Sequence, residues 1–416
     1  MAEPLSGPSP STIDSRGATS VGIASVVAGV SGLLVIMLVP RIFSTEDQAT
    51  FLTFWSLLFA VFGVIGGVQN ETTRAVRSAT TATVPRGAPR VVPVGLGIGL
   101  VLAVVVAATS PVWSPALFDA YRPGLVGVVT VAVLLFSGHS AVAGALSGRG
   151  SWATYSTLVA SEASVRLLLV VVTWALGLEL FGAEAATGAA AGVWLLVVLL
   201  RRDARASLDA RADVTLAPLL RHTGHSMIAA ASSATIVVGF PVALRLTTDP
   251  LVYAQAAPLI LAITLTRAPL LMPLNAYQGV AIAHFLDNRH RGPAVLLRLG
   301  AMVMGVAVVG AGLAAVVGPW IMRTVTTHEV QGWVLACLTL DAGLLALVTL
   351  TGAAVLALGR HAAYATGWFV ASAVTVATLF FPASIEVRTV LALTAGPVAG
   401  LVVHLSQVAA AARADR

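Results

Sequence analysis

Long apolar blocks separated by short polar breaks repeat along the chain from Val21 to Ala409. Each is long enough for the roughly 20 helical residues that cross about 30 Å of hydrocarbon. None alternates with the period of two expected of a barrel strand, the other backbone form that leaves no unpaired N–H or C=O in lipid. The pattern therefore predicts an all-α polytopic membrane protein. Its spans fall near Val21–Val39, Phe51–Val68, Val91–Thr109, Gly124–Leu146, Trp152–Leu176 and Ala183–Leu200. They continue near Ile228–Leu246, Leu251–Ala281, Val295–Pro319, Gln331–Leu358, Ala362–Phe381 and Val390–Ala409, about twelve in all.

The longest polar interruption, Arg201 to Arg221, divides these spans into six and six, and its Leu208, Leu216 and Leu219 among charges predict a partly amphipathic interfacial helix. The expected organisation is a disordered cytoplasmic tail (1–20), a first lobe (21–200), an amphipathic cytoplasmic linker (201–222), a second lobe (223–410) and a short tail (411–416). The Pro- and Ser-rich start has no apolar core, so it reads as a tail and not a cleaved signal peptide, with the first span as the insertion signal. A weak internal likeness, Pro40–Asp47 against Leu244–Asp249, each followed by a span closing on an asparagine (Asn70 and Asn275), is what a duplicated transporter half would leave.

Composition agrees: 10% of the 416 residues are charged and the mean hydropathy is +0.92, whereas soluble domains carry roughly 25% charged residues. All 24 basic residues are arginine, which excludes a P-loop lysine and a Schiff-base lysine. Seventeen arginines fall in segments that are cytoplasmic if the N-terminus is inside, and five in the opposite loops. Positive residues stay inside, so both termini are expected in the cytoplasm of a multi-pass plasma-membrane protein. The formal +6 then faces membrane lipid and not nucleic acid. The single cysteine, Cys337, lies in an apolar run and excludes a disulfide framework.

Ionisable groups deep in spans are costly and mark candidate sites. Glu162 and Arg166 stand four apart, where opposite charges pair; the pair either holds helices together or presents a guanidinium to a substrate phosphate. Arg267 has no acid within four positions and needs an anionic ligand or a partner such as Asp341. Asp341 is in turn a proton or sodium site, or that partner. Asn275 and Gln278, beside Pro273, offer amides to sugar hydroxyls or to neighbouring helices. In the first outer loop, Glu46 and Asp47 read as a helix cap, with Thr45 and Gln48 forming a capping box, in preference to a catalytic pair. His139 reads as a hydrogen-bonded interior histidine. His222 and His225 lack the converging ligands of a metal site. Gly63 with Gly67, and Gly95 with Gly99, predict close helix crossings.

The run Leu38-Val39-Pro40-Arg41-Ile42-Phe43-Ser44, the aromatic second span, Gly66-Gly67-Val68-Gln69-Asn70-Glu71 with Arg74 and Arg77, and Val252-Tyr253-Ala254-Gln255-Ala256 resemble the polysaccharide-lipid flippases of the MOP superfamily, the Wzx-like transporters. Ala49-Thr50-Phe51 departs from the Phe-Gly or Tyr-Gly usual near the start of span two. The resemblance implies two six-helix lobes around a cavity opening alternately to each side, and a polyprenyl-pyrophosphate-linked sugar as cargo. On that reading Arg166 and Arg267 neutralise the pyrophosphate, Asn70, Asn275 and Gln278 contact sugar, and Glu162 or Asp341 couples to an H+ or Na+ gradient. The protein would then be a non-enzymatic monomer without cofactor or metal, with glycan polymerases or glycosyltransferases as partners. Alternatives are a cation-coupled multidrug exporter of the related MATE branch, a membrane glycosyltransferase, and a non-transporting envelope scaffold.

Overall fold

The first turn between spans shows how local chemistry sets the helix ends. Pro40 and Arg41 close α1 (Ser15–Ile42), and Ser44, in extended conformation, caps α2 (Thr45–Ala79) by accepting the Asp47 N–H at 3.2 Å. Glu46 and Asp47 fill the first turn, where carboxylates complement the helix dipole. The cap thus forms as expected but one residue earlier. Gln48 does not reach back to a backbone N–H; it donates to the Phe43 carbonyl at 2.9 Å.

The structure, a computed structural model, describes residues 15–80, 83–271, 292–326, 328–358 and 360–414. The first lobe continues with α3 (Val91–Phe118), α4 (Pro123–Gly148) and α5 (Trp152–Ala175). Its last span is α6 (Glu179–Ala189), which passes through a tight turn at Ala190–Gly192 into α7 (Val193–Leu200). After α8 (Arg202–Ser207) come α9 (Leu216–Val237), α10 (Phe240–Leu246), α11 (Pro250–Tyr253) and α12 (Ala257–Leu271). The second lobe ends with α13 (Gly292–Thr326), α14 (Gly332–Ala357), α15 (His361–Thr378) and α16 (Ile385–Ala414). Among the described residues, nine helices are long and apolar enough to cross a membrane, or ten if α9 and α10 form one bent span. The shorter apolar helices α12 and α15 lie where spans eight and eleven are expected.

Buried apolar side chains gather in two main clusters. One runs through α1–α8, and the other runs through the second half, joined by Ile36, Ala49 and Leu52 of α1 and α2. The predicted small-residue crossings form: a Cβ on Gly67 would stand 2.5 Å from the Met227 Cα, and one on Gly95 would stand 2.6 Å from the Ala141 Cβ. Gly67 therefore lets α2 of the first lobe pack directly on α9 of the second.

The linker differs from the expected interfacial helix. Arg202–Ser207 is a short helix, Leu216 already opens α9, and the segment between them is tied to the first lobe by Val91 N–H to Ala210 O (2.9 Å) and Ala212 N–H to Pro89 O (3.0 Å). Leu208 and Leu219 pack against the core of that lobe, so their apolar spacing serves protein contact in place of lipid.

Span seven breaks between Val237 and Phe240, bending by 72°. Pro241 has no N–H to continue the ladder, and Gly239 sits at the bend. A broken helix in lipid exposes carbonyls that must find donors. Here the donors come from other spans, Ser56 Oγ to Val238 O at 2.5 Å and Arg267 to two others.

Candidate functional site

An open cavity of about 440 Å³ lies between α1, α2, α4 and α5 of the first lobe, with Thr264 and Ala268 of α12 from the second lobe also lining it. One wall is aromatic. Along α2 the rings of Trp55 and Phe59 stack at 4.4 Å, and Phe62, next along the helix, stacks on Phe136 of α4 at 3.8 Å. Trp55, Phe59 and Phe136 all face the cavity and stay partly exposed.

Glu162 and Arg166, one turn apart on α5, form an ion pair on the same cavity wall. The Arg166 guanidinium lies 4.7 Å from the Phe59 ring centre and 5.8 Å from that of Trp55. Its Nε has no hydrogen-bond partner. His139 also lines the cavity, stacked on Phe136 at 5.1 Å with its Nδ1 unpartnered. That corrects the expectation of a hydrogen-bonded interior histidine: the ring is held by stacking. Gln69 and Tyr155 complete the polar lining, their side chains 3.4 Å apart.

The other candidates separate. Arg267, buried in α12, donates to the carbonyls of Ile236 (3.1 Å) and Val237 (3.2 Å) at the break in span seven. It forms no ion pair within 4.0 Å, with Asp341 or any other described residue, although Asp341 is near enough to act on it electrostatically. Its charge thus meets the negative end of the half-helix α9, where peptide dipoles leave carbonyls unsatisfied. Asp341 of α14 accepts the Thr394 hydroxyl at 2.6 Å, while its Oδ2 is buried without a partner. Asn70 is exposed and does not line the cavity; its neighbour Gln69 does. Asn275 and Gln278 lie outside the described residues. No group of three metal-binding side chains occurs among the described residues.

Two charged groups escaped the sequence reading. Arg245, at the end of the seventh expected span, is buried and donates to Leu117 O (3.1 Å) and Asp119 Oδ1 (2.5 Å), joining α10 to the α3–α4 turn. Glu184, assigned to a span edge, is fully buried and bound by both guanidinium nitrogens of Arg122, at 2.9 and 3.0 Å. A buried carboxylate requires such a partner, so an arginine just outside a span, 62 positions away, was the available signal.

Arg245 is one of several contacts tying the lobes on the face opposite the arginine-rich one. Thr53 Oγ1 and the Tyr253 hydroxyl pair at 2.8 Å, and His328 Nε2 meets Gln48 Oε1 at 2.6 Å. Because the Gln48 amide nitrogen is committed to Phe43 O, its oxygen faces His328, whose Nε2 must carry the hydrogen.

No family model matches the chain. Among curated proteins, "Uncharacterized protein Mb3654" of Mycobacterium bovis is 39% identical over 96% of this chain and 94% of its own length. "Uncharacterized protein Rv1510" of Mycobacterium tuberculosis is 37% identical over 94% and 90%. Among solved structures, an inward-facing multidrug resistance MATE family transporter of the MOP superfamily superposes with a TM-score of 0.70 at 16% identity, covering 95% of this chain and 98% of that one. An outward-facing structure of such a transporter gives 0.66 at 15% identity, covering 95% and 96%. A MOP superfamily transporter from Pyrococcus furiosus, described as having a binding pocket of reversed polarity, gives 0.67 at 14% identity, covering 95% and 96%. The fold is therefore that of the MATE-like MOP transporters.

Proposed function

We propose, for a chain that belongs to the same family as the mycobacterial proteins Mb3654 and Rv1510, that it is a transporter moving a polyprenyl-(pyro)phosphate-linked sugar across the plasma membrane by alternating access. The observation that carries this reading is the cavity where the two lobes meet, with an arginine, a carboxylate, an amide and aromatic rings on its walls. A solitary interior ion pair would serve packing alone; one bordering a cavity of this size meets whatever enters it.

Alternating access needs one face closed while the other admits cargo. The Arg245–Asp119, Thr53–Tyr253 and Gln48–His328 contacts hold the arginine-poor face together. With the arginine-rich face in the cytoplasm, the chain rests closed to the outside, ready to take cargo from the inner leaflet. Glu162, on the cavity wall, and Asp341, with one unpartnered oxygen, are the carboxylates available to couple movement to H+ or Na+.

A second reading, a cation-coupled multidrug exporter, is favoured by the fold neighbours and by the neutralisation of Arg166 by Glu162. Proteoliposomes separate the two. A fluorescent polyprenyl-diphosphate sugar should cross at a rate well above protein-free vesicles. Equal rates with and without protein, together with gradient-driven uptake of a lipophilic cation dye, would replace the flippase reading with the exporter.

A further inference from the structure

The distribution of charge in the cavity bears on which part of a lipid-linked sugar it can hold. Among the described residues, the acidic and basic side chains on its wall are Arg166 and Glu162, of opposite sign and already paired. A diphosphate brings at least two negative charges, and the guanidinium on the described wall is already answered by a carboxylate. Arg267 does not supply one, being bound to the Ile236 and Val237 carbonyls. The other features suit a neutral polyol. Trp55 and Phe59 present partly exposed ring surface, which can accept the weakly positive C–H face of a pyranose, while the faces of Phe136 are covered by Phe62 and His139. Arg166 Nε and His139 Nδ1, on side chains that line the cavity, are buried without a partner; buried polar groups are normally hydrogen-bonded, and a ligand hydroxyl satisfies them once the side chain turns toward the cavity. Gln69 and Tyr155 add further groups at the weakly bonded end of the lining. The volume, about 440 Å³, lies toward the small end of the roughly 300–1,000 Å³ range of small-molecule sites.

We infer that this cavity is a carbohydrate subsite, holding one or two pyranose rings against the Trp55–Phe59 wall, and that the diphosphate of the cargo stays outside it. The inference rests on the flippase reading and narrows it: the Glu162–Arg166 pair is a hydrogen-bonding platform for hydroxyls, and sugar identity is selected in the first lobe.

The test uses the full chain in lipid nanodiscs with four methyl glycosides (glucose, galactose, N-acetylglucosamine and rhamnose), inorganic pyrophosphate, and tetraphenylphosphonium. Saturation transfer from protein to sugar ring protons is expected for at least one glycoside. It should fall at least fivefold in Phe59→Leu and in Glu162→Gln, while the ³¹P line of pyrophosphate stays sharp. Thermal melting of each variant shows that it is folded, and the wild-type spectra stand without any variant. Broadening of the pyrophosphate line that Arg166→Gln abolishes, with no saturated sugar, overturns the inference and leaves the flippase reading standing. Binding of tetraphenylphosphonium alone overturns both, and saturation of none of the four glycosides overturns the inference.

Discussion

Each lobe buries an arginine in the middle of a span, and the two are satisfied in opposite ways. Arg166 in the first lobe is answered by a carboxylate one helical turn away and borders a cavity. Arg267 in the second is answered by two backbone carbonyls of a broken helix, about thirty positions back in the chain, and is not among the residues lining that cavity. The first arrangement leaves the side chain able to change partners when a ligand arrives. The second commits it to the backbone, because releasing it would strand two carbonyls in hydrocarbon. The same buried residue type is thus a candidate binding group in one lobe and a helix cap in the other.

The largest expected effect comes from breaking the second arrangement. Arg267→Ala leaves the Ile236 and Val237 carbonyls without donors, at roughly 1–3 kcal/mol each, and should sharply reduce folded yield and the melting temperature in detergent. Arg267→Lys, which can still donate, should recover part of the loss. A stable, monodisperse Arg267→Ala protein would remove the distinction drawn between the lobes.

Arg166→Gln should behave differently. Cutting a dry buried pair costs roughly 3–5 kcal/mol, but on a cavity wall Glu162 can hydrate or take up a cation, so a cost of about 1–2 kcal/mol is expected. Translocation in proteoliposomes should fall at least tenfold while melting shifts by only a few degrees. Unfolding as severe as that of Arg267→Ala would make Arg166 a structural residue too.

A smaller effect follows from loosening the contacts between the lobes. Asp119 is well exposed, so its bond to Arg245 contributes at most about 1 kcal/mol. Asp119→Ala should therefore raise the outward-open population severalfold, since about 1.4 kcal/mol is tenfold. Spin labels at Tyr121 and Phe381, both exposed on that face, in a Cys337→Ser background would report it as growth of a longer distance. An unchanged distribution would mean that Arg245–Asp119 does not govern opening.

The smallest is a pH effect at His328. Partial burial lowers its pKa below the ordinary histidine value, so the closed arrangement binds a proton less readily than the open one. The contribution is intact above the ordinary value of about 6.5 and is lost as pH falls through the depressed one. Acidification on that face should favour opening by the same spin-label measurement, and His328→Asn should flatten the dependence. Closure that strengthens on acidification would contradict it.

Much of the architecture was legible because it is local. Runs of about twenty apolar residues have no option but helices across lipid. Glu162 and Arg166 meet because residues four apart share one helix face. The cap at Ser44 and the crossings at Gly67 and Gly95 follow from equally short-range rules. What the sequence left open depended on how helices are rotated and stacked. One residue is about 100° around a helix, so whether Gln69 or Asn70 faces the cavity is set by how α2 seats on α9. Span seven was expected unbroken from Ile228 to Leu246, and only tertiary structure showed the bend and assigned Ser56 and Arg267 to its carbonyls. Asp341 found Thr394 in place of Arg267, and Arg245 became a tie between lobes, for the same reason. In lipid every polar group must find a partner, and the sequence states that demand without saying which distant residue meets it.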